Sequence, residues 1–320
     1  MRYTKKINLE DLTENYDVMV GWGVGEEEFC KQYNPFLYKL DYMIDKNVCL
    51  QGQTFNGIVV SNPKVLSELK GKKVCIIIFP NLENEIIQNA LEYLDEFDTI
   101  VSRLLYIDNN PLGHFYSTER EDIIIDYIID RLNIKNPLYV DIGVCHPVIR
   151  NNTYLMYEKG YHDGVLVEPN LEMCELAKIY RPQNEIVSAG ACAGIGTNMR
   201  YYMHPNPSYR GHNTFDQEIA REEGSINNYV DVPVVNINEI IRQKCDRVPD
   251  ILDIDTEGLD YELIDALDTN SYPIKIICSE IWKKKELFAS MMEKKGYVQF
   301  ASTKANNIYI KQELLDRSIN

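Results

Sequence analysis

The sequence has no run of about 18 uncharged apolar residues, the length that a helix needs to cross the hydrocarbon core of a membrane. Residues 1–6 include basic side chains but are not followed by an apolar segment, so we expect no secretory signal and a cytoplasmic protein. Basic side chains are in the minority, with 33 Lys and Arg against 49 Asp and Glu, and the formal net charge is −16. Such a charge repels nucleic acid and anionic lipid on average, so we expect neither nucleic acid nor a membrane as a partner.

Clustered metal-binding motifs are also missing. The eight cysteines are scattered, without a C-x-x-C and without the Cys/His spacing of a zinc site. Several lie inside apolar runs, for example Cys75 and Cys278, so we expect buried, reduced thiols. Among the five histidines, His204 and His212 are eight residues apart, a spacing that suits no helical metal pair. We therefore expect no metal site.

What the sequence does contain is centred on residues 138–170. An apolar run ends in Asp141-Ile142-Gly143, a helical segment follows, and a second apolar run ends in Glu168. This order of strand, glycine turn, helix, strand and acid is typical of a βαβ unit that binds a nucleotide or nucleoside. Gly143 allows the backbone to turn sharply close to a ligand, and the carboxylate of Glu168 can accept hydrogen bonds from both ribose hydroxyls.

The glycine content of this turn distinguishes between ligands. A dinucleotide site needs G-x-G-x-x-G, whereas this turn has a single glycine followed by Val144-Cys145-His146-Pro147. A pyrophosphate requires several close backbone approaches, so one glycine with a ribose acid favours a nucleoside without phosphates, most commonly S-adenosylmethionine. An ordinary buried βαβ unit with a solvated acid is the alternative.

Four motifs between about residues 122 and 310 resemble, in the same order, those of the FkbM family of S-adenosylmethionine-dependent methyltransferases. They are Val140-Asp141-Ile142-Gly143, Glu168-Pro169-Asn170, Asn213-Thr214-Phe215 and Asp253-Ile254-Asp255-Thr256-Glu257-Gly258. Two positions depart from the common pattern, since Val144-Cys145-His146-Pro147 replaces a motif of small residues and Asp253 replaces a lysine. The resemblance implies S-adenosylmethionine as the cofactor and a sugar, glycan or related metabolite as the acceptor.

The apolar runs predict an α/β fold in two domains. We expect a smaller Rossmann-like domain over residues 1–105, a linker over 106–117 and the methyltransferase domain over 118–320. The resemblance implies that the latter is a class I methyltransferase, with a Rossmann-like doubly wound sheet of seven strands that ends in an antiparallel hairpin.

The N-terminal domain has a glycine turn of its own, before a helix predicted over residues 26–32. Its layout resembles the small sugar-nucleotide-binding domain at the front of sialic-acid-type O-acetyltransferases, at Gly21, Gly23, Asp45 and Phe55-Asn56-Gly57. Glu26 stands where a dinucleotide fingerprint has its third glycine, and an acid there repels phosphate. A nicotinamide site is therefore the weakest hypothesis. Another is a docking or dimerisation module without a ligand, which would make the protein a homodimer.

The candidate site residues follow the ends of predicted strands, where doubly wound sheets bind their ligands. The cofactor site is predicted to contain Asp141, Gly143, Glu168, Pro169, Asn170, Ala189 and Asp253. We predict Asp255, His146 and His212 as catalytic residues, acting as the base or as orienting groups. Acceptor binding is assigned to Asn213, Thr214, Glu257 and Glu280, with Trp282 beside Glu280 and residues 203–215 as a lid. Magnesium or calcium at Asp253, Asp255 and Glu257 is a weaker alternative.

These observations predict an enzyme that transfers a methyl group from S-adenosylmethionine to a hydroxyl of a sugar, glycan precursor or related small metabolite. Methylation of an amino group is one alternative. The other is a non-catalytic module that binds a nucleotide-linked sugar in the first domain and uses the second as a degenerate scaffold.

Overall fold

The computed structural model describes residues 15–24, 40–55, 57–80, 82–101, 115–281 and 285–315. The chain divides into two compact units, Met1–His114 and Phe115–Asn320. The helix predicted over residues 26–32, Trp282 and most of the predicted linker lie outside the described residues. Among the described residues, no helix combines the length and apolar character that a membrane crossing requires.

The first unit contains a six-stranded sheet in the order β3-β4-β2-β1-β5-β6, in which β3 is antiparallel to β4 and the other pairs are parallel. Its elements are β1 (Val18–Trp22), β2 (Tyr42–Ile44), β3 (Thr54–Phe55), β4 (Ile58–Ser61), a 3₁₀ helix (Pro63–Leu69), β5 (Val74–Ile78), α1 (Glu83–Leu91) and β6 (Asp98–Val101). Strand β5 is buried throughout, as its unbroken apolar run predicts for a parallel strand covered on both faces.

The glycine turn after β1 is filled by the protein's own side chains. A β-carbon on Gly21 would lie 2.4 Å from the sulfur of Met43, and one on Gly23 would lie 2.5 Å from Cδ of Pro80. The carboxylate of Asp45 accepts a hydrogen bond from the backbone N–H of Val24 at 2.8 Å. Close internal packing is therefore a sufficient reason for these glycines, without a nucleotide.

The second unit is built on a seven-stranded sheet in the order β15-β16-β14-β13-β7-β8-β9. The five strands from β14 to β9 are parallel, while β16 is antiparallel to both β14 and β15. The strands are β7 (Tyr139–Ile142), β8 (Gly164–Val167), β9 (Glu185–Val187), β13 (Ile251–Ile254), β14 (Ile276–Glu280), β15 (Tyr297–Ser302) and β16 (Asn306–Lys311). The helices are α2 (Glu121–Arg131), α3 (Tyr154–Glu158), α4 (Leu171–Tyr180), α5 (Gln217–Glu222), α6 (Ile237–Lys244), α7 (Asp260–Ala266) and α8 (Lys285–Lys294).

Successive residues of these strands enter two separate apolar layers, because side chains alternate between the faces of a sheet. One layer joins Val140 to side chains of α6, α7 and α8, including Ile237, Leu263 and Phe288. The other joins Tyr139 to side chains of α2, α3 and α4, including Ile125, Met156 and Ala177. The sheet is therefore covered on both faces, and the mixed α/β fold class is confirmed.

A second, smaller sheet was not predicted. It contains β10 (Gly190–Cys192), β11 (Asn198–Tyr202) and β12 (Tyr229–Asn236) in the order β10-β12-β11. Helix α5 and a 3₁₀ helix, Pro207–His212, lie between β11 and β12 in sequence. We call residues 190–236, which carry this sheet, the inserted segment.

Candidate active site

The turn after β7 meets the turn after β13 at the carboxyl edge of the sheet. We call this edge, with Glu168 beside it, the crevice. Gly143 has φ +88° and donates its N–H to the carbonyl of Val167 at 3.0 Å. A β-carbon on Gly143 would lie 1.7 Å from the carbonyl oxygen of Asp255. The glycine was predicted to make room for a ligand, but its β-carbon would strike the neighbouring backbone first. Gly143 thus allows the two turns to touch.

Glu168 lies beside this turn, as expected for a ribose acid. One carboxylate oxygen accepts the backbone N–H of Cys145 at 2.7 Å, and the other accepts that of Asn170 at 2.7 Å. A carboxylate has about four lone-pair sites, so each oxygen can accept one more hydrogen bond, for example from a ribose hydroxyl. Burial raises the pKa of Glu168 to about 7, although the two backbone hydrogen bonds oppose this shift.

The residues after Glu168 begin helix α4. Pro169 is buried, and the side chain of Asn170 caps the helix by accepting the N–H of Glu172 at 3.0 Å. The next residue, Leu171, is 69% exposed, while Ala189 is buried just after β9. Leu171 therefore presents an exposed apolar surface close to Glu168.

Asp141 faces the layer of α3 and α4 instead of opening into the crevice. Its Oδ2 accepts hydrogen bonds from Thr153 Oγ1 at 2.5 Å and from Asn151 Nδ2 at 3.0 Å. The guanidinium of Arg181 lies 3.7 Å from the same oxygen, and both side chains are almost completely buried. These contacts indicate that Asp141 holds together the scaffold beneath the glycine turn.

Arg181, which sequence reasoning did not single out, is fully buried. It donates to Asn184 Oδ1 at 2.7 Å, to Tyr139 Oη at 3.0 Å and to Thr153 Oγ1 at 3.0 Å. Its charge also lies over the ring of Tyr157, 5.5 Å from the centroid. An arginine at the end of an amphipathic helix gives no sequence signal of such burial.

Asp253 also lies on this side of the scaffold. It pairs in register with Asp141, and its Oδ1 accepts a hydrogen bond from Asn152 Nδ2 at 3.1 Å. Burial and the neighbouring charge of Asp141 raise the pKa of Asp253 well above its usual range, so a protonated, structural carboxyl is favoured. The predicted cofactor residues therefore separate into Gly143, Glu168 and their neighbours at the crevice, and Asp141 with Asp253 below it.

Three of the predicted acids converge at the ends of β13 and β14. One carboxylate oxygen from each of Asp255, Glu257 and Glu280 lies within 4.8 Å of the other two. Burial, followed by the charges of Glu280 and Asp260, raises the pKa of Asp255 well above its usual range. Burial and the charges of Asp255 and Asp260 raise the pKa of Glu257 to about 9. Carboxyls this close favour sharing protons, which leaves at least one of them able to act as a base.

The same three carboxylates are oxygen donors of the kind that magnesium and calcium prefer. The predicted metal alternative had named Asp253 in place of Glu280, and the structure puts Asp253 with Asn152 instead. Proton sharing accounts for the close approach of the three acids without an ion.

His146 lies in the turn after Gly143, where its ring supports the backbone. Its Nδ1 accepts the N–H groups of Val148 and Ile149 at 3.1 and 3.0 Å. The ring contacts that of Tyr180 at an angle of 37°, with 5.8 Å between centroids. The nitrogen that would accept a proton is thus engaged with the backbone, so we give the role of base to another residue.

The segment that carries His212, Asn213 and Thr214 is attached on two sides. Nη2 of Arg210 donates to both carboxylate oxygens of Glu172, in the first turn of α4, at 2.8 and 2.9 Å. Thr214 Oγ1 donates to the carbonyl of Glu257 at 2.6 Å. The side chain of His212 is half-exposed and lies 3.4 Å from Glu223. The segment thus connects the helix after Glu168 with the turn after Asp255.

Tyr201, on β11, is a crevice residue that the sequence did not reveal. Its ring is buried and packs on Phe215, 4.9 Å between centroids. The side chain of Asn213 hydrogen-bonds its hydroxyl, and the charges of Glu168 and Glu257 act on it. Burial and these charges raise the pKa of Tyr201, so the phenol stays protonated and acts as a hydrogen-bond donor. The sequence pattern gave no indication of this role for Tyr201, because strand β11 itself was not predicted.

The parallel-rich α/β sheets, with a glycine turn and a buried acid at adjacent strand ends, are consistent with the Rossmann-like methyltransferases. Within that class, residues 141–298 match the family model described as the methyltransferase FkbM domain. The chain therefore contains an FkbM methyltransferase domain, as the sequence motifs had indicated. No curated protein and no solved structure matches the chain.

Proposed function

We propose that the protein transfers a methyl group from S-adenosylmethionine to a hydroxyl of a sugar, glycan precursor or related small metabolite. The observation that carries this proposal is the position of Glu168, whose carboxylate lies against the Gly143–Cys145 turn and retains acceptor capacity on both oxygens. When bound, S-adenosylmethionine supplies an electrophilic methyl group.

Different residues of the chain bind the cofactor, remove the proton and exclude water. Glu168 binds the ribose hydroxyls, and the exposed side chain of Leu171 covers one face of the adenine. Asp255, with Glu280 and Glu257 beside it, removes the proton of the acceptor hydroxyl. Buried Tyr201 donates a hydrogen bond into the crevice and excludes water there.

A sugar acceptor is supported by an exposed group of aromatic rings on the inserted segment. Tyr209 is half-exposed, and its ring lies 5.0 Å from that of His204 and 5.7 Å from that of His212. Aromatic faces pack well against the apolar face of a sugar ring. The attachments of Arg210 and Thr214 keep this group beside the crevice.

Equilibrium dialysis with labelled S-adenosylmethionine tests the cofactor. Wild-type protein should bind it, and Glu168→Ala should weaken binding by roughly tenfold or more, because two charge-assisted hydrogen bonds are lost. Glu175→Gln removes the same charge from an exposed position of α4, the helix that follows Glu168, and should bind as the wild type does. A wild-type protein that does not bind, or equal binding by Glu168→Ala, would contradict the proposal and favour the non-catalytic alternative.

A pair of isosteric substitutions tests the base. Asp255→Asn should lower kcat by roughly 10²- to 10⁴-fold, the usual worth of a general base. Asp253→Asn should keep activity within a few-fold, since its side chain lies with Asn152 instead of with the three converging acids, and Asn152 can still donate to the new amide oxygen. Similar losses in both variants would remove the assignment of Asp255.

A second candidate acceptor is an amine, which is favoured by the three carboxyls at the acceptor end of the crevice. A cationic ammonium would be attracted there and would have to lose a proton before methylation. Carbon NMR of the product formed from S-adenosylmethionine with a ¹³C-labelled methyl group separates the two candidates, because methyl carbons on oxygen and on nitrogen have different chemical shifts.

A further inference from the structure

A second cavity lies at the opposite edge of the same sheet. It has a volume of about 390 Å³ and lies before the strands β7, β13 and β14, at their amino ends. Its polar wall contains Lys135, Arg247, Asp250 and Lys275, and its apolar wall includes Leu132 and Leu314. The crevice of Glu168 lies at the carboxyl ends of these strands, so the two sites are separate.

The cationic side chains of this cavity are held in place by one buried acid. Asp250 accepts hydrogen bonds from Lys275 Nζ at 2.6 Å and from Arg247 Nη1 at 2.7 Å, and also from the N–H of Leu138 at 3.0 Å. Burial tends to raise the pKa of Asp250, but the bonds from Lys275 and Leu138 outweigh it and the pKa is lowered. Asp250 therefore stays ionised and fixes both cations.

Positive charge exceeds negative charge along the wall of this cavity. Lys135 adds a third cation to Arg247 and Lys275, against the single carboxylate of Asp250. Arg247 also donates to the carbonyl of Asn136 at 2.7 Å and lies 4.0 Å from the exposed Asp163. Its side chain and that of Lys275 remain 41% and 43% exposed, so both can reach a ligand. The chain as a whole has a net charge of −16, so the sign of the charge on this wall is opposite to that of the whole chain.

We propose that this cavity binds a small phosphate monoester, with the phosphate on Lys135, Arg247 and Lys275. A guanidinium presents paired donors that match phosphate oxygens, and ammonium groups add point charges. The cavity is larger than one phosphate, and Leu132 with Leu314 offers a surface for the organic part. The assignment does not depend on methyl transfer.

Isothermal titration calorimetry on the full-length protein, with ribose 5-phosphate, glucose 6-phosphate and inorganic phosphate as probes, tests this assignment. At least one ester should bind more tightly than inorganic phosphate, and binding should weaken with added salt. Lys135→Gln and Arg247→Gln should each weaken the ester by roughly tenfold, the worth of one charge-assisted hydrogen bond. Arg247→Gln leaves Asp250 bound to Lys275 and Leu138, so the cavity should keep its form.

Two controls keep the result specific. Lys304→Gln removes the same charge from an exposed turn of the same unit and should leave ester binding unchanged. Glu168→Ala should also bind the ester normally, which separates this site from the proposed cofactor crevice. The assignment is overturned if neither ester gives saturable heat, if inorganic phosphate binds as tightly as both esters, or if Lys304→Gln weakens binding as much as Lys135→Gln.

Discussion

The backbone of Gly143 lies so close to the carbonyl oxygen of Asp255 that a β-carbon would be only 1.7 Å from it. Gly143→Ala should therefore lower the free energy of unfolding by at least about 2 kcal/mol, since it adds this clash to the strain of a positive φ. Gly160 also has a positive φ, +93°, but has nothing within 4 Å of an added β-carbon. Gly160→Ala is the matched control and should lose about 1–2 kcal/mol. Urea unfolding of both variants measures the difference, and equal losses would argue against the clash.

Removal of the buried arginine tests the scaffold beneath the crevice. Arg181→Met leaves the carboxylate of Asp141 buried without its cation, which should cost about 3–5 kcal/mol. Arg242 forms an ion pair on the surface of α6, and Arg242→Met should leave the unfolding midpoint unchanged. Thermal unfolding of the two variants gives the comparison. A double variant, Arg181→Met with Asp141→Asn, should recover part of the loss, and an absence of recovery would show that the pair is not the cause.

The raised pKa of Glu168 predicts how stability changes with pH. The folded carboxyl, with a pKa of about 7, holds its proton more tightly than the unfolded one, near 4.5. Stability should therefore fall as pH rises between these two values, by roughly 1.4 kcal/mol for each unit by which they differ. Glu168→Gln should remove this part of the pH dependence, and Glu175→Gln, at an exposed position, should not. Urea unfolding across this pH range is the measurement, and parallel curves for the wild type and Glu168→Gln would refute the shift.

Removal of the phenol of Tyr201 should affect ligand binding more than folding. Tyr201→Phe keeps the ring that packs on Phe215, but it removes a donor on which the charges of Glu168 and Glu257 act. We expect the KM for the cofactor or acceptor to rise roughly tenfold, while the unfolding midpoint stays nearly unchanged. Tyr202 is the next residue on β11 and packs its ring on Tyr229 instead, so Tyr202→Phe serves as the control. Steady-state kinetics should separate the two variants, and equal effects would argue against a special position for Tyr201.

The sequence predicted the central strands because they are buried on both faces and their apolar runs are unbroken. The runs that end at Asp141 and Glu168 became β7 and β8, and the one that ends at Asp255 became β13. The small sheet was missed for the opposite reason. Strand β12 begins with three consecutive exposed residues and contains Pro233, so its pattern resembles a loop.

The candidate site was predictable in position but less so in the roles of its side chains. Strand-end acids were expected to meet at one edge, and Asp255, Glu257 and Glu280 do so. Whether an acid faces a ligand or a buried partner depends on residues distant in sequence, as the pairing of Asp141 with Arg181 shows. The periodicity of a sequence predicts which face of a strand or helix a residue occupies, but it does not predict which side chain the residue will contact there.

Residues 198–228 of the inserted segment are attached through a few side chains, notably those of Arg210 and Thr214, and none of them belongs to the two apolar layers of the seven-stranded sheet. This division makes the segment a replaceable part. A chimera that exchanges residues 198–228 for those of another protein of this family, with both attachment residues retained, would be a direct route to a changed choice of acceptor on an unaltered catalytic base.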